Sequence, residues 1–144
     1  KFVASFIGQP NMNLVPATVE GVDAKGIKVT MSGGHQMVLP VKSQGVTIGD
    51  KVEVGIRPEH VALGKKGLEI SINVLERLGG VSITYGTVGD GRRFCASLPG
   101  DAVIKEGAPM ILSVAPEDCH VFDAAGNVLR RNSAPAPVAE GKDK

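Results

Sequence analysis

The stretch Gly55-Ile56-Arg57-Pro58-Glu59-His60 decides the fold of this chain, because the pattern around it occurs twice. Apolar and polar residues alternate over 51–57, which predicts a half-buried β-strand, and the proline that follows removes a ladder donor and ends it. The same pattern returns 58 residues later, over 109–115. The matching pairs are Gly49 and Gly107, Val52 and Met110, Val54 and Leu112, Ile56 and Val114, Pro58 and Pro116, and Glu59 and Glu117. We interpret the chain as a tandem duplication of one small β-unit.

The composition favours short strands joined by tight turns. The chain has 144 residues with 19 glycines, 9 prolines and 42% hydrophobic residues, which suits one domain or two small fused ones. A formal net charge of +1 gives no electrostatic footprint for nucleic acid. The sequence contains neither a signal-peptide pattern nor an apolar run near the roughly 18 residues of a membrane span. We therefore expect a soluble protein that works inside the cell.

Turn residues divide the chain into about five short strands per unit, which predicts an all-β fold of two tandem OB-like small barrels. The first unit covers 14–64 and the second covers 65–131. The tail over 132–144 is rich in proline and alanine and has little to bury, so we expect it to be disordered.

Two strands carry more specific expectations. A first strand over 14–22 contains Pro16, which is tolerated only near the edge of a sheet. In the strand over 68–78, alternation predicts that Ile70, Ile72 and Val74 face the same side.

The chain begins with a short amphipathic segment that predicts a helix. Phe2, Val3, Phe6 and Ile7 fall on one face of it, and Gly8 suits its C-cap. The helix has no N-cap of its own. We therefore expect 1–13, the helix and a polar connector, to be the end of a longer element.

The sequence offers little that could carry catalysis. His35, His60 and His120 lie in or beside predicted turns, and no phosphate loop or G-x-S-x-G pattern is present. The two cysteines, Cys95 and Cys119, are too few for a disulfide framework, and we expect both to be reduced and buried. An adjacent Cys-His pair is also a poor chelate for a metal. We predict that the chain is not an enzyme and has no catalytic residue, cofactor or metal.

The proline corner leaves two interpretations open. Arg57 and Glu59 flank Pro58, so they could form a local solvated ion pair worth ~0–1 kcal/mol, or they could form a recognition edge for another protein. Glu59 and its repeat equivalent Glu117 could also be imagined as paired carboxylates, although satisfying backbone donors at the same turn is the simpler role. The candidate recognition or dimer edge consists of Arg57, Pro58, Glu59, His60, Glu117, Cys119 and His120.

Three strings of the sequence point to a family. These are Phe2-Val3-Ala4-Ser5-Phe6-Ile7-Gly8, the stretch 55–60, and Pro116-Glu117-Asp118-Cys119-His120-Val121-Phe122. In this order and at these intervals they resemble the C-terminal regulatory region, the transport-associated OB (TOBE) domain, of the ATP-binding subunits of ABC sugar importers. The resemblance covers 1–131 and extends to importers of the maltose, α-glucoside, polyol and glycerol-phosphate type. The family's nucleotide-binding domain, with its Walker A, signature and Walker B motifs, has no counterpart in this sequence.

The resemblance implies a regulatory and dimerisation domain cut from a larger subunit. Phe2, Val3, Phe6 and Ile7 would then form the seam with the missing ATPase domain, which would hold ATP and Mg. The implied partners are a second copy, the parent's own ATPase domain, the transmembrane permease subunits and a carbon-source signalling protein. The implied location is the inner face of the cell membrane. We expect the chain itself neither to bind nor to hydrolyse ATP, and we expect it to self-associate.

Two other classes of function stay open at this point. A free-standing oxyanion-binding module of the molybdate type would need Ser or Lys side chains and backbone N–H groups that converge on a subunit seam. A nucleic-acid-binding OB domain would need surface aromatics and a basic groove, whereas this chain has four Phe, one Tyr and no Trp. The sequence does not identify a transported solute.

Overall fold

The computed structural model describes residues 12–43, 45–89, 91–105 and 109–129. These residues form nine strands and one short 3₁₀ turn, so the described part is all-β as predicted. The predicted N-terminal helix and the predicted disordered tail lie outside the described residues. The strands are β1 (Asn13–Asp23), β2 (Gly26–Met31), β3 (Gln36–Leu39), β4 (Lys51–Ile56), β5 (Ala62–Arg77), β6 (Val81–Val88), β7 (Arg92–Pro99), β8 (Met110–Ser113) and β9 (His120–Phe122), and the 3₁₀ turn is Pro116–Asp118.

The strands form two antiparallel sheets whose orders correspond. The first sheet has the order β3-β2-β1-β4-β9 and the second has the order β7-β6-β5-β8. In each sheet three consecutive strands form a meander, and the fourth strand returns to pair with the first. β4 and β8, the two strands that carry the repeated pattern, therefore hold the same place, which confirms the duplication.

Each unit also contributes a short strand to the sheet of the other unit. β9 follows the turn after β8, yet it pairs with β4, with His120 opposite Gly55. In the same way, the start of β5 follows the turn after β4 and pairs with β8, with Ala62 opposite Ser113 and Leu63 opposite Leu112. The boundary drawn between 64 and 65 lies inside β5. The two units are thus interlocked by strand exchange.

The main hydrophobic core of the described residues lies between the sheets and takes side chains from both units. It is built almost wholly from aliphatic residues, as the scarcity of aromatics requires. Its largest fully buried side chains are Ile27, Met31, Leu39, Ile56, Leu68, Ile70, Phe94, Leu98 and Leu112. Because a single cluster spans both sheets, neither unit buries its apolar face alone.

The prediction that Pro16 lies near a sheet edge is wrong, because β1 is flanked by β2 on one side and β4 on the other. The carbonyl oxygen of Pro16 accepts a hydrogen bond from the N–H of Ser32, just after β2 has ended (2.8 Å). The N–H and C=O groups of one residue point to the same side of an antiparallel strand. The side of Pro16 that lacks an N–H group therefore faces the turn after β2. No hydrogen bond between β1 and β4, where Pro16 lies opposite Glu53, is lost.

The prediction that Val74 faces the same side as Ile70 and Ile72 is also wrong. The pairing of β5 with β6 shifts between Ile72 and Val74, which marks a β-bulge. A bulge adds one residue to a strand and reverses the face that the following side chains meet. Ile70 is consequently in the core, whereas Val74 lies on the outer face of the sheet.

Candidate functional site

The first proline corner is the turn that follows β4. The N–H of His60 donates to the carbonyl oxygen of Arg57 (3.0 Å), which closes the turn. The carbonyl oxygen of Pro58 accepts a hydrogen bond from the N–H of Ser97 in β7 (2.9 Å), so the corner is fastened to the opposite sheet. Arg57 and Pro58 are half-buried, whereas Glu59 and His60 are exposed. The corner is therefore a fixed turn with an exposed tip.

The second corner is the 3₁₀ turn that follows β8. The N–H of Asp118 donates to Ala115 O (2.9 Å) and the N–H of Cys119 donates to Pro116 O (3.2 Å). Glu117 is exposed, and the turn contacts β3 of the first sheet. Each corner thus contacts the third strand of the opposite unit, which is β7 for the first corner and β3 for the second.

The strand exchange brings the two corners to the same end of the first sheet. β9 runs antiparallel to β4, and His120 at the start of β9 lies opposite Gly55 near the end of β4. The turn before β9 and the turn after β4 must therefore be neighbours. We call these two turns the corner surface and define it by Arg57, Pro58, Glu59, His60, Glu117 and His120.

Gly55 lets the strands behind the corner surface pack closely. A Cβ atom at this position would lie 2.2 Å from the Sδ atom of Met12 and 3.0 Å from the ring of Phe122. Met12, Leu14 and Phe122 form a small buried cluster of their own on this part of the sheet. Because Gly55 has no side chain, Met12 and Phe122 can pack directly against its backbone. Their cluster in turn packs on β4, the strand that ends in the first corner.

The two cysteines are free thiols, but only one of them is buried as predicted. Cys119 is fully buried, and its Sγ donates to the carbonyl oxygen of Ala115 (3.6 Å), so it acts as part of the core. Cys95 is half-buried on the outer face of β7, because the alternation of that strand turns Phe94 and Ala96 inward. Partial burial still raises the pKa of the Cys95 thiol.

The histidines lie in or beside turns, as predicted. His35 is half-buried at the end of the turn between β2 and β3, and burial lowers its pKa because the charged form loses solvation. His60 is exposed in the first corner, and His120 is half-buried at the start of β9. All three histidines lie at the same end of the first sheet, where β2 and β4 end and β9 begins.

Asn13 holds the two sheets together, and the sequence had placed it in a polar connector. Its Nδ2 donates to the carbonyl oxygens of Cys95 (2.8 Å) and Ile56 (3.0 Å), and its Oδ1 accepts from the N–H of Cys95 (2.8 Å). One side-chain amide thus occupies both backbone groups of Cys95 on the free edge of β7. Two residues further along β7, the N–H of Ser97 is occupied by the carbonyl oxygen of Pro58. The backbone groups on this edge of β7 are therefore not available to pair with a strand of another chain.

A groove of about 630 Å³ crosses the outer face of the first sheet, away from the corner surface. Charges of both signs line it, and several are already engaged within the chain. Lys51 Nζ donates to Thr18 Oγ1 (3.0 Å), and Arg92 Nη1 donates to Glu53 Oε2 (3.3 Å). Among the described residues, no group of three or more His, Cys, Asp or Glu side chains could hold a metal ion.

The described part of the chain contains no helix long and apolar enough to cross a membrane. The residues proposed for the seam with another domain, which are Phe2, Val3, Phe6 and Ile7, lie outside the described residues.

Comparison with known families divides the chain into two overlapping matches. The MalK OB fold domain matches residues 8–61, and the TOBE domain matches residues 54–122. The overlap falls on the end of β4 and the first proline corner, which is the point where one unit passes into the other.

The curated relatives are ATP-binding proteins of maltose import. The chain is 35% identical over 135 residues to the maltose/maltodextrin import ATP-binding protein MalK of Salmonella typhi. It is 34% identical over 137 residues to the protein of the same name from Escherichia coli K12. Each alignment covers 91% of this chain and 37% of the relative, so the chain spans little more than a third of these proteins.

A solved structure shares the fold. The cytoplasmic molybdate-binding protein ModG superposes with a TM-score of 0.63, covering 76% of this chain and 94% of that one. The sequence identity is 15%. The likeness shows a common arrangement of strands and carries no ligand over to this chain.

Proposed function

The chain belongs to the TOBE domains that form the C-terminal regulatory part of the ATP-binding subunits of ABC sugar importers, and on this premise we propose that it serves its parent as a regulatory and dimerisation domain. The observation that carries the proposal is the meeting of both proline corners at one end of the first sheet. We infer that this corner surface is where another protein surface docks. In this proposal the domain holds two subunits together and binds other proteins, and it catalyses no reaction.

The rigidity of the corner supports this role. The ring of Pro58 fixes its own φ, and the carbonyl oxygen of the same residue is held by Ser97 N–H across the gap between the sheets. A recognition surface whose backbone is already ordered loses little conformational entropy when it binds. The exposed side chains of Glu59, His60 and Glu117 then supply polar contacts on a fixed frame.

The partner that we favour is a second copy of the domain. A contact between two identical chains around a two-fold axis uses the same patch on both. The net charge of +1 does little to keep copies apart. We expect an interface at the weak end of the range of ~1,200–2,000 Å², and hence a concentration-dependent dimer.

The parent protein, in this proposal, is a transport ATPase for a carbohydrate-type solute. Its ATP and Mg would bind in the parent's nucleotide-binding domain, and its permease subunits would be the membrane partners. The domain would then lie on the cytoplasmic side of the membrane, where a carbon-source signalling protein is a further candidate partner. The relatives are named for the import of maltose and maltodextrin, which supports a carbohydrate-type solute without identifying it.

Charge reversal at Arg57 tests the corner surface. Arg57→Glu adds a carboxylate beside Glu59 and near the second corner, so repulsion across a two-fold contact should raise the dimer dissociation constant about tenfold or more. Lys28→Glu on β2, an exposed site of the first sheet, makes the same change of net charge and is the matched control. Sedimentation velocity over a concentration series measures both variants. If the dimer forms and Arg57→Glu weakens it no more than Lys28→Glu does, the contact lies elsewhere.

A further inference from the structure

We propose that the outer face of the second sheet carries a binding site for one neutral sugar ring, a pyranose, which stacks on Tyr85 between Asn73 and Arg93. The residues that carry the site belong to β5, β6 and β7. The inference goes beyond the regulatory function proposed above and does not depend on it.

The site is a cavity of about 340 Å³ with Tyr85 in its lining. Tyr85 of β6 pairs with Val74 of β5 on one side and with Cys95 of β7 on the other, so the three side chains lie side by side on the outer face. Tyr85 is 42% exposed and Val74 is 50% exposed. The Oη of Tyr85 donates a long hydrogen bond to Glu76 Oε1 (3.4 Å), which restricts rotation of the ring. The cavity therefore contains an ordered aromatic surface that is open to solvent.

Polar side chains stand on both sides of this aromatic surface. Asn73 lines the cavity from β5 and Arg93 lines it from β7, and both are exposed. Neither side chain hydrogen-bonds to another of the residues that the structure describes. In the larger groove on the first sheet, by contrast, Lys51 and Glu53 are already engaged within the chain. The smaller cavity is thus the one whose polar groups are available to a ligand.

A β-bulge places Asn73 in the cavity. Asn73 is the extra residue where the pairing of β5 with β6 shifts, and such bulges commonly re-aim a side chain at a functional site. β1 has the same bulge in the first unit, with Glu20 as the extra residue. Where the second unit has Tyr85 beside its bulge, however, the first has Lys28. The two units share the framework, and the aromatic surface belongs to the second unit.

The chemistry of the lining matches a pyranose. The ring of a pyranose has a face of C–H groups, which packs on an aromatic side chain, and a rim of hydroxyl groups, which both donate and accept hydrogen bonds. The amide of Asn73 offers donors and an acceptor, and the guanidinium of Arg93 offers donors. β5 and β7 lie two strand spacings apart, about 10 Å, so hydroxyls at opposite ends of one ring can reach both side chains.

Charge and size narrow the class of ligand further. The carboxylate of Glu76, which is bonded to Tyr85, offsets the positive charge of Arg93, so the site favours a neutral ligand over an anion. The cavity is at the lower end of the range of ~300–1,000 Å³ that small-molecule pockets occupy. It therefore suits one ring better than a chain of rings.

Tyr85 is the native probe of the site. It is the single tyrosine and there is no tryptophan, so a change of intrinsic fluorescence during a titration reports on this cavity. Glucose is the probe ligand, because its ring hydroxyls point outward and leave the faces of the ring clear. Sorbitol, an acyclic polyol with the same number of carbons, is its matched control. We expect a saturable change with glucose in the millimolar range, since a ligand of about 12 non-hydrogen atoms makes few contacts, and none with sorbitol.

Asn73→Ala is the diagnostic variant, and Glu20→Ala, at the corresponding bulge of the first unit, is its control. We expect Asn73→Ala to raise the dissociation constant of glucose about fivefold or more, because its hydrogen bonds to the sugar are lost, and Glu20→Ala to leave it unchanged. Tyr85→Leu should abolish binding. Because this variant lacks the fluorophore, it is followed through the Cys95 amide in proton–nitrogen correlation spectra, which also verify that it is folded.

Three results would overturn the proposal. One is the absence of a saturable response to glucose, or an equal response to sorbitol. The second is a dissociation constant that Asn73→Ala leaves unchanged or that Glu20→Ala raises as much, which would place the sugar elsewhere, in the latter case on the first sheet. The third is a saturable response to benzoate that exceeds the response to glucose, which would make this an anion site on Arg93. The Arg57→Glu experiment on dimerisation can fail without changing any of these readings, so the two proposals are tested separately.

Discussion

Replacing Gly67 by alanine is expected to lower the free energy of unfolding by about 3 kcal/mol or more, a large part of the ~5–15 kcal/mol that stabilises a domain. Gly67 has a φ of 150°, in the region that favours glycine, and a Cβ at this position would lie 1.9 Å from the carbonyl oxygen of Leu112. The clashing atom, the oxygen of Leu112, belongs to the backbone, so it cannot move aside as the end of a flexible side chain could. Gly67 lies where β5 passes β8, so the strain falls on the pairing of β5 with β8 in the second sheet.

Gly79→Ala is the matched control for this experiment. Gly79 also has a positive φ, of 85°, but a Cβ there would meet nothing within 4 Å. It should cost only the backbone term, about 1–2 kcal/mol. Urea unfolding followed by circular dichroism gives both values. Equal losses at the two sites would show that the close passage of β5 and β8 does not limit stability.

Replacing Asn13 by alanine is expected to cost about 2–4 kcal/mol, since three hydrogen bonds of about 0.5–1.5 kcal/mol each are lost at once. Two of them occupy the backbone groups of Cys95, and the third reaches the carbonyl oxygen of Ile56. Alanine cannot replace the amide, so the edge of β7 would be left with unpaired groups that are partly buried.

Gln36→Ala removes a side-chain amide that makes an exposed bond to Thr30 Oγ1 (3.2 Å) and should change stability by less than about 0.5 kcal/mol. Hydrogen exchange adds a local measurement to urea unfolding. In Asn13→Ala the amide of Cys95 should exchange much faster, whereas the amide of Ser97, held by Pro58, should keep more of its protection. If the Cys95 amide stays as protected as before, the bond to Asn13 is not what shields it.

The duplicated architecture could be predicted because it is written in local patterns. The alternation over 51–57 and 109–115, each closed by a proline, sets two equivalent strands, and the structure places both at the same position in their sheets. The aliphatic core and the all-β class follow from composition. These features need only the period of two and the chemistry of turns.

The interlocking of the units could not be predicted from the same patterns. Pairing of His120 with Gly55 joins residues far apart in the chain, and no local signal specifies the partner of a short strand such as β9. The position of Pro16 was predicted wrongly for the same reason. A proline fits in the central strand β1 only because β2 ends beside it, and the end of β2 is not visible in the local pattern around Pro16. Val74 was misplaced because a bulge leaves no mark in hydrophobicity until the register is known.

The corner surface was predicted in part. The residue types and the repeat singled out Arg57 and Glu117, but only the antiparallel pairing of β9 with β4 brings the two turns together. Cys95 could have been assigned correctly, since Phe94, Ala96 and Leu98 already mark the inward positions of β7. Asn13 carried no signal, because an asparagine in a polar connector is common and its partners lie on another sheet.

We propose that this domain joins with a second copy through its own β-structure. Sedimentation equilibrium of the unmodified chain, over a range that reaches high micromolar concentration, tests it most directly. We expect an average mass that rises with concentration from that of one chain towards that of two. A mass that stays at one chain throughout would contradict it.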